Sequence, residues 1–590
     1  MSAARPAVSI GAVVPAALVL IVAACGAPER PAADLVLRGG RVYTLGWSDP
    51  SAEDGAPAAD APYDASGWHP DASAVAMRGG RIVYVGGDDG AQAWIGDSTR
   101  VVDLAGATVL PGIIDAHTHA DSYARKLLEV DLVGVADEAE AVERIVAWKR
   151  DHGIADGAWI VGYGWDDGAW ADRYPTAALL SERLPGNPVY LRGLHGFAVW
   201  GNHAALAAAG ITSATPDPPG GAILRDARGE PTGVLKDRAT GLLSSVVPEP
   251  STDAYEAALV SALDSLVAAG ITAIAEADVS AAHLAALERL EEAQRLPVPI
   301  WVWLRTQGPE PDTALLRTWL ERGPDREGRL QVRTAKVFWD GALGSRGAWM
   351  LADYADAPGR KGSGGDAYGV SRDWVSRLAA AGFQLAIHAI GDAGTRGTLD
   401  YLDSLYAAAP AVRQNRNRIE HAQVTAPEDF ARFVPLDAIA SMNPQHAMDD
   451  MGWAEDRVGA ERIRGAYAWR SMRRAGARLA FSSDLPGADW HLLPSLHAAV
   501  TRQNGAGEPA GGWYAEERLV PEEALRAYTV WAAYTLFSEN ERGVIAVGRG
   551  ADLTVTDVDP LATPVDDYGG VLGGRVVLTV VDGRVAFDGR

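Results

Sequence analysis

The chain has 590 residues, 48% of them hydrophobic and 22% charged, a globular composition that excludes both global disorder and a many-helix membrane protein. Acidic residues outnumber basic ones, 77 to 53, and the formal charge of -24 repels a phosphate backbone, so no nucleic-acid partner is expected. A single cysteine, Cys25, rules out an intrachain disulfide and a zinc finger. Lysine is almost as scarce, supplied only by Lys126, Lys149, Lys236, Lys336 and Lys361.

Arg5 precedes a short apolar run that has the form of a secretory signal and is too short to span a bilayer comfortably. The run ends Val22-Ala23-Ala24-Cys25-Gly26, which resembles a bacterial lipobox. On that reading residues 1–24 are removed and Cys25 carries the lipid. Residues 25–33 then form a Pro/Ala-rich tether. The protein would be exported across the inner membrane and held at the cell envelope, on its periplasmic or outer-surface face, touching membrane through the lipid only. The alternative is a plain cleaved signal with an incidental cysteine.

Short alternating apolar runs broken by glycine pairs follow between Asp34 and Val102, and the same texture returns at Ala551–Thr556 and Val576–Phe587. This predicts one small β-sandwich-like domain assembled from residues 34–105 and 543–590. Between them, residues 106–542 alternate apolar strands with helical segments, the pattern of an α/β (β/α)8 TIM barrel. Its strands are expected at Thr108–Ile114, Ile271–Glu276, Val298–Leu304 and Arg333–Phe338, then Gln384–His388, Arg418–His421, Ala438–Met442 and Arg478–Phe481. A Trp-, Gly- and Asp-rich insertion, about 121–268, is expected to cover the mouth.

Polar residues recur where those strands end, the end at which such barrels build active sites. The first closes with Asp115-Ala-His117-Thr-His119, and two imidazoles two residues apart on an extended segment can reach one ion. The fifth ends at His388, the sixth at His421 and the eighth at Asp484. Each alone has a bland explanation; four at one barrel end form a constellation. Lys336 lies inside the apolar fourth strand, where an ammonium is costly unless paired or neutral. Either it pairs with Asp340 or Glu276, or its neutral amine adds carbon dioxide and becomes an anionic carbamate ligand.

The string Pro111-Gly-Ile-Ile-Asp-Ala-His-Thr-His119, followed in order by Lys336, His388, His421 and Asp484, resembles the amidohydrolase superfamily. Trp159–Asp166, Asp340-Gly-Ala-Leu-Gly-Ser-Arg346, His388–Asp392 and Arg418-Ile-Glu-His421 narrow it to the amidohydrolase 3, YtcJ-like branch, which includes N-substituted formamide deformylase. The resemblance implies two divalent metal ions, zinc being the expected element. His117 and His119 would hold the first and His388 and His421 the second, with Lys336 bridging them as a carbamate. Asp484 would bind the first metal and shuttle the proton, while a metal-activated hydroxide opens a non-peptide C–N bond of a small amide or formamide-like substrate.

Two positions depart from the branch: Phe197 stands where a histidine is usual, with His195 nearby, and Asn443 where a glutamine is usual. His446, His195 and Trp339 are the candidate substrate contacts, with packing as the competing role for His195 and for the tryptophans. A homodimer is left open. Two alternatives stand beside the leading one: a single-metal hydrolase in which Lys336 pairs with Asp340, and a lipid-anchored ligand-binding protein without turnover.

Overall fold

The computed structural model describes residues 32–166, 170, 174–193, 198–307 and 310–590; Cys25 and His195 lie outside them. At its centre is an eight-stranded sheet of β1 Ile113–Thr118, β2 Ile271–Val279, β3 Ile300–Arg305 and β4 Leu330–Phe338, followed by β5 Gln384–Ala389, β6 Arg418–His421, β7 Ile439–Met442 and β8 Arg478–Phe481. Every neighbouring pair is parallel, as a chain with a helix or long crossover after each strand requires. The remaining gap, between β8 and β1, is bridged just past the strand ends. Asp484 N donates to His117 O at 2.9 Å and His119 N to Leu485 O at 2.9 Å. Asp115 tightens the same seam by accepting from Ser483 N at 3.0 Å and Ser483 Oγ at 2.5 Å. The interior is filled mostly by small side chains, among them Ala116, Ala275, Ala386 and Ala480, around Trp301 and Trp303.

The strand expected from Thr108 to Ile114 is broken in two. Thr108–Pro111 pairs antiparallel with Leu553–Thr556 in a five-stranded sheet, and the barrel strand starts only at Ile113. Gly112 makes the corner, because a Cβ there would stand 2.3 Å from Thr272 Oγ1. That five-stranded sheet also holds Arg41–Val42, Val576–Val581 and Arg584–Asp588, so strands from both ends of the chain share it. It packs on a four-stranded sheet of Leu35–Arg38, Ala74–Arg78, Arg81–Gly86 and Arg100–Asp103 through a common core that includes Leu35, Val75, Val109, Leu553 and Leu578. The result is a TIM barrel with a separate two-sheet domain.

Between β1 and β2 lies a mixed six-stranded sheet, from Val130–Asp131 at one edge to Gly221–Arg225 at the other. It carries its own apolar cores. Trp165, Trp170 and Trp200 pack against one another there at centroid separations of 6.0–6.2 Å, so their role is packing. This layer is rooted at the barrel mouth by the helix Ala120–Leu127, which begins directly after His119. Among the described residues no helix is long and apolar enough to cross a membrane.

Candidate metal centre

His117, at the end of β1, is fully buried, with Nδ1 3.0 Å from Glu420 Oε2 and Nε2 3.0 Å from Lys336 Nζ. Burial and the neighbouring Lys336 push the His117 pKa down to about 3, so the ring is neutral. With Nδ1–H given to Glu420, the Nε2 lone pair points into the barrel mouth. Glu420 is itself clamped by Arg418, at 2.5 Å from Nε and 3.1 Å from Nη2. Burial alone would raise the Glu420 carboxyl, but Arg418 and His117 outweigh it and hold it well below the usual carboxylate range. Arg418 also donates to Ala116 O and Ser441 Oγ and lies 4.6 Å over the Trp303 ring. The chain thus spends a buried ion pair on aiming one imidazole.

Asp484 stands where the barrel closes, in the left-handed region at φ +59°. Its Oδ1 lies 3.3 Å from His119 Nε2 and 3.6 Å from His117 Nε2, and its Oδ2 lies 3.5 Å from His446 Nε2. Burial raises its pKa, yet His117, His119 and His421 more than reverse that and keep it ionised. On the far side His421, also left-handed at φ +71°, gives its Nδ1 to Asn443 Oδ1 at 2.9 Å. Asn443 Nδ2 is used by Ser482 O and Oγ, which fixes the orientation of the amide. Burial lowers the His421 pKa to about 4, so this ring too is neutral.

Two sets of donor atoms therefore converge, His117–His119–Asp484 and His421–His446–Asp484, each with all donors within 4.8 Å of one another. Imidazole nitrogens, those of His117 and His421 on neutral rings, beside an ionised carboxylate are a donor set suited to a divalent ion of the zinc type. Residues 100–587 match the amidohydrolase family. The chain belongs to that family. It is 30% identical to the N-substituted formamide deformylase of Arthrobacter pascens, over 88% of this chain and 95% of the relative. It is 29% identical to the putative amidohydrolase YtcJ of Bacillus subtilis (strain 168), over 83% of this chain and 91% of the relative. The branch read from the motifs agrees with both. A structure described as an uncharacterized metal-dependent hydrolase from Pyrococcus horikoshii OT3 shares the fold, with a TM-score of 0.71, 24% identity, and coverage of 90% of this chain and 99% of that one.

In this amidohydrolase the remaining sequence-derived residues fall as follows. His388, expected beside His421, stands there, and His446 Nε2 approaches the Asp484 carboxylate from the same side at 3.5 Å. The His388 ring lies 4.7 Å from that of His421, while its Nε2 is buried without a hydrogen-bond partner, 3.8 Å from Asp340 Oδ1. Lys336 is buried, and among the described residues no carboxylate lies within ion-pair distance of it. Asp340 instead accepts from the backbone N–H groups of Ile390, Gly391 and Trp349, and Glu276 from Ala120 N, Asp121 N and Thr118 Oγ1. The salt-bridge explanation of Lys336 therefore fails, and burial pushes its ammonium below the usual lysine range.

Trp339 is a correction. It is 1% exposed, packed 5.2 Å from Tyr401 and beneath Arg372, with no surface left for a substrate. Its strand neighbour Phe338 lies 4.9 Å from Lys336 Nζ and 5.4 Å from the His388 ring. Glu420 and Asn443 were visible only as letters in a motif; their work as orienters needs the fold.

Proposed function

We propose that this metal-dependent amidohydrolase cleaves a non-peptide carbon–nitrogen bond of an amide or formamide, with Asp484 handling the proton. The supporting observation is the Asp484 carboxylate, ionised and within 3.6 Å of imidazoles on both sides of the site. A bound divalent ion supplies Lewis acidity, lowering the pKa of water and polarising the carbonyl. Asp484 takes the proton as the water O–H breaks and the new C–O bond forms, then returns it to the nitrogen as the C–N bond breaks. Glu420 and Asn443 keep His117 and His421 in the tautomers that present Nε2.

Lys336 fits a carbamate: its neutral amine, favoured by burial, can add carbon dioxide, the new N–C bond forming as one proton leaves the nitrogen, and so become an anion beside His117. Cys25 is proposed as the lipid attachment point at the cell envelope, and a Cys25→Ser chain should lack the lipid mass at that residue. The direct test of activity is amine release from formamides, N-acyl amines and cyclic amides by the zinc-loaded chain. Turnover of at least one class supports the reading. Intact ligands recovered after prolonged incubation with metal-loaded protein overturn it in favour of capture without turnover.

A further inference from the structure

We propose that a cavity at the N-terminal end of the barrel, the end away from the metal centre, is a binding site for a small aromatic carboxylate. The cavity measures about 310 Å³, within the roughly 300–1,000 Å³ typical of small-molecule sites. Its lining includes Ala438, just before β7, and Arg478, the first residue of β8, whereas the metal-centre residues lie at the opposite strand ends. Thr535, in the same lining, accepts from Arg418 Nη1 at 3.4 Å. The cavity therefore backs onto the Arg418–Glu420 ion pair and not onto the imidazoles in front of it.

Two arginine–aromatic stacks supply the recognition. Trp531 and Tyr534, one turn apart on the helix Val530–Thr535, carry Arg473 and Arg478, each guanidinium carbon 4.4 Å from the ring centroid. The acids around them are already engaged. Glu523 accepts from Arg473 Nε at 3.2 Å but also takes Arg470 through both of its oxygens. Asp437 accepts from Arg478 Nε at 3.3 Å, and Asp49 Oδ1 from Arg526 Nη1 and Trp531 Nε1. Arg473 gives Nη2 to Pro50 O, so its Nη1 and both Nη groups of Arg478 have no acceptor among the described residues, although Arg473 is only 9% exposed. Guanidinium N–H groups held planar against rings suit a carboxylate, whose two oxygens they can meet at once. Phe433 and the half-exposed Val434 add apolar surface suited to the ring of such a ligand.

The test is isothermal titration calorimetry of the full chain with benzoate, alongside Arg478→Ala, Val434→Asp and Asp484→Ala, with thermal unfolding to show that each variant is folded. The expected result is a benzoate site that Asp484→Ala retains at unchanged affinity and that Arg478→Ala and Val434→Asp each weaken at least about tenfold. Acetate and benzyl alcohol, each lacking one half of the ligand, should bind the wild type at least about tenfold more weakly than benzoate. Absence of saturable benzoate binding, or binding that both cavity variants leave undiminished, overturns the assignment. Binding that is lost in Asp484→Ala also overturns it and gives the carboxylate to the metal centre. Benzyl alcohol or acetate binding as tightly as benzoate overturns the ligand class.

Discussion

The two donor sets of the candidate metal centre are built on opposite plans. His117 and His119 sit two residues apart on one strand, and their partner Glu420 is locked by a buried arginine. His421 and His446 come from a strand and a helix 25 positions apart, with Asn443 between them accepting from His421 Nδ1. The first half depends on charge held in a dry interior, where removing one partner leaves the other uncompensated. The second depends on neutral hydrogen bonds and on backbone held in the left-handed region at residue 421, so it is geometrically demanding and electrostatically mild. A ligand pair adjacent in sequence needs a strong orienter; a pair from two elements needs a rigid corner.

Substitutions can break that contrast. Asp484→Ala removes the one group common to both halves. It should abolish retention of metal by either and lower kcat by about 10^2–10^4-fold, read by elemental analysis and steady-state kinetics. Glu420→Gln should affect the first half alone. Metal affinity should fall about 10–100-fold in a chelator competition. The uncompensated Arg418 should destabilise the fold by about 3–5 kcal/mol in denaturant unfolding.

Glu276 sharpens the comparison because it fixes the turn after His119. Burial raises its carboxyl from 4.5 to about 7. A carboxyl whose pKa is raised by folding binds its proton more tightly in the native state, so its stabilisation is complete below about 4.5 and is lost as pH rises through 7. Metal-free Glu276→Gln should therefore gain on the wild type across that window, by about 3 kcal/mol at its upper end, in paired unfolding curves. Asn443→Ala should be mildest, weakening metal binding about tenfold in the second half and leaving the first unchanged. Equal losses in both halves would show that they are mechanically one unit.

Much of this site was legible before folding. Lys336 stood out because an apolar strand has no ordinary use for one of five lysines, and the strand ends marked His117, His388, His421 and Asp484. The approach of His446 to Asp484 was not legible, because it needs the helix Pro444–Asp450 set beside the strand end that carries Asp484. The break at Gly112 was equally hidden, since its cause is the approach of Thr272, 160 residues away.

By itself the sequence determined the family, the barrel of alternating strands and helices, and the types of residue at its mouth, because local periodicity and residue chemistry suffice for those. Only the tertiary structure decided which imidazoles meet, which carboxylates are already committed to backbone N–H groups, and that Asp484 stands between two clusters. Those outcomes depend on a few left-handed residues and on closure between β8 and β1, where a change of one dihedral or one seam redirects a side chain by several ångströms.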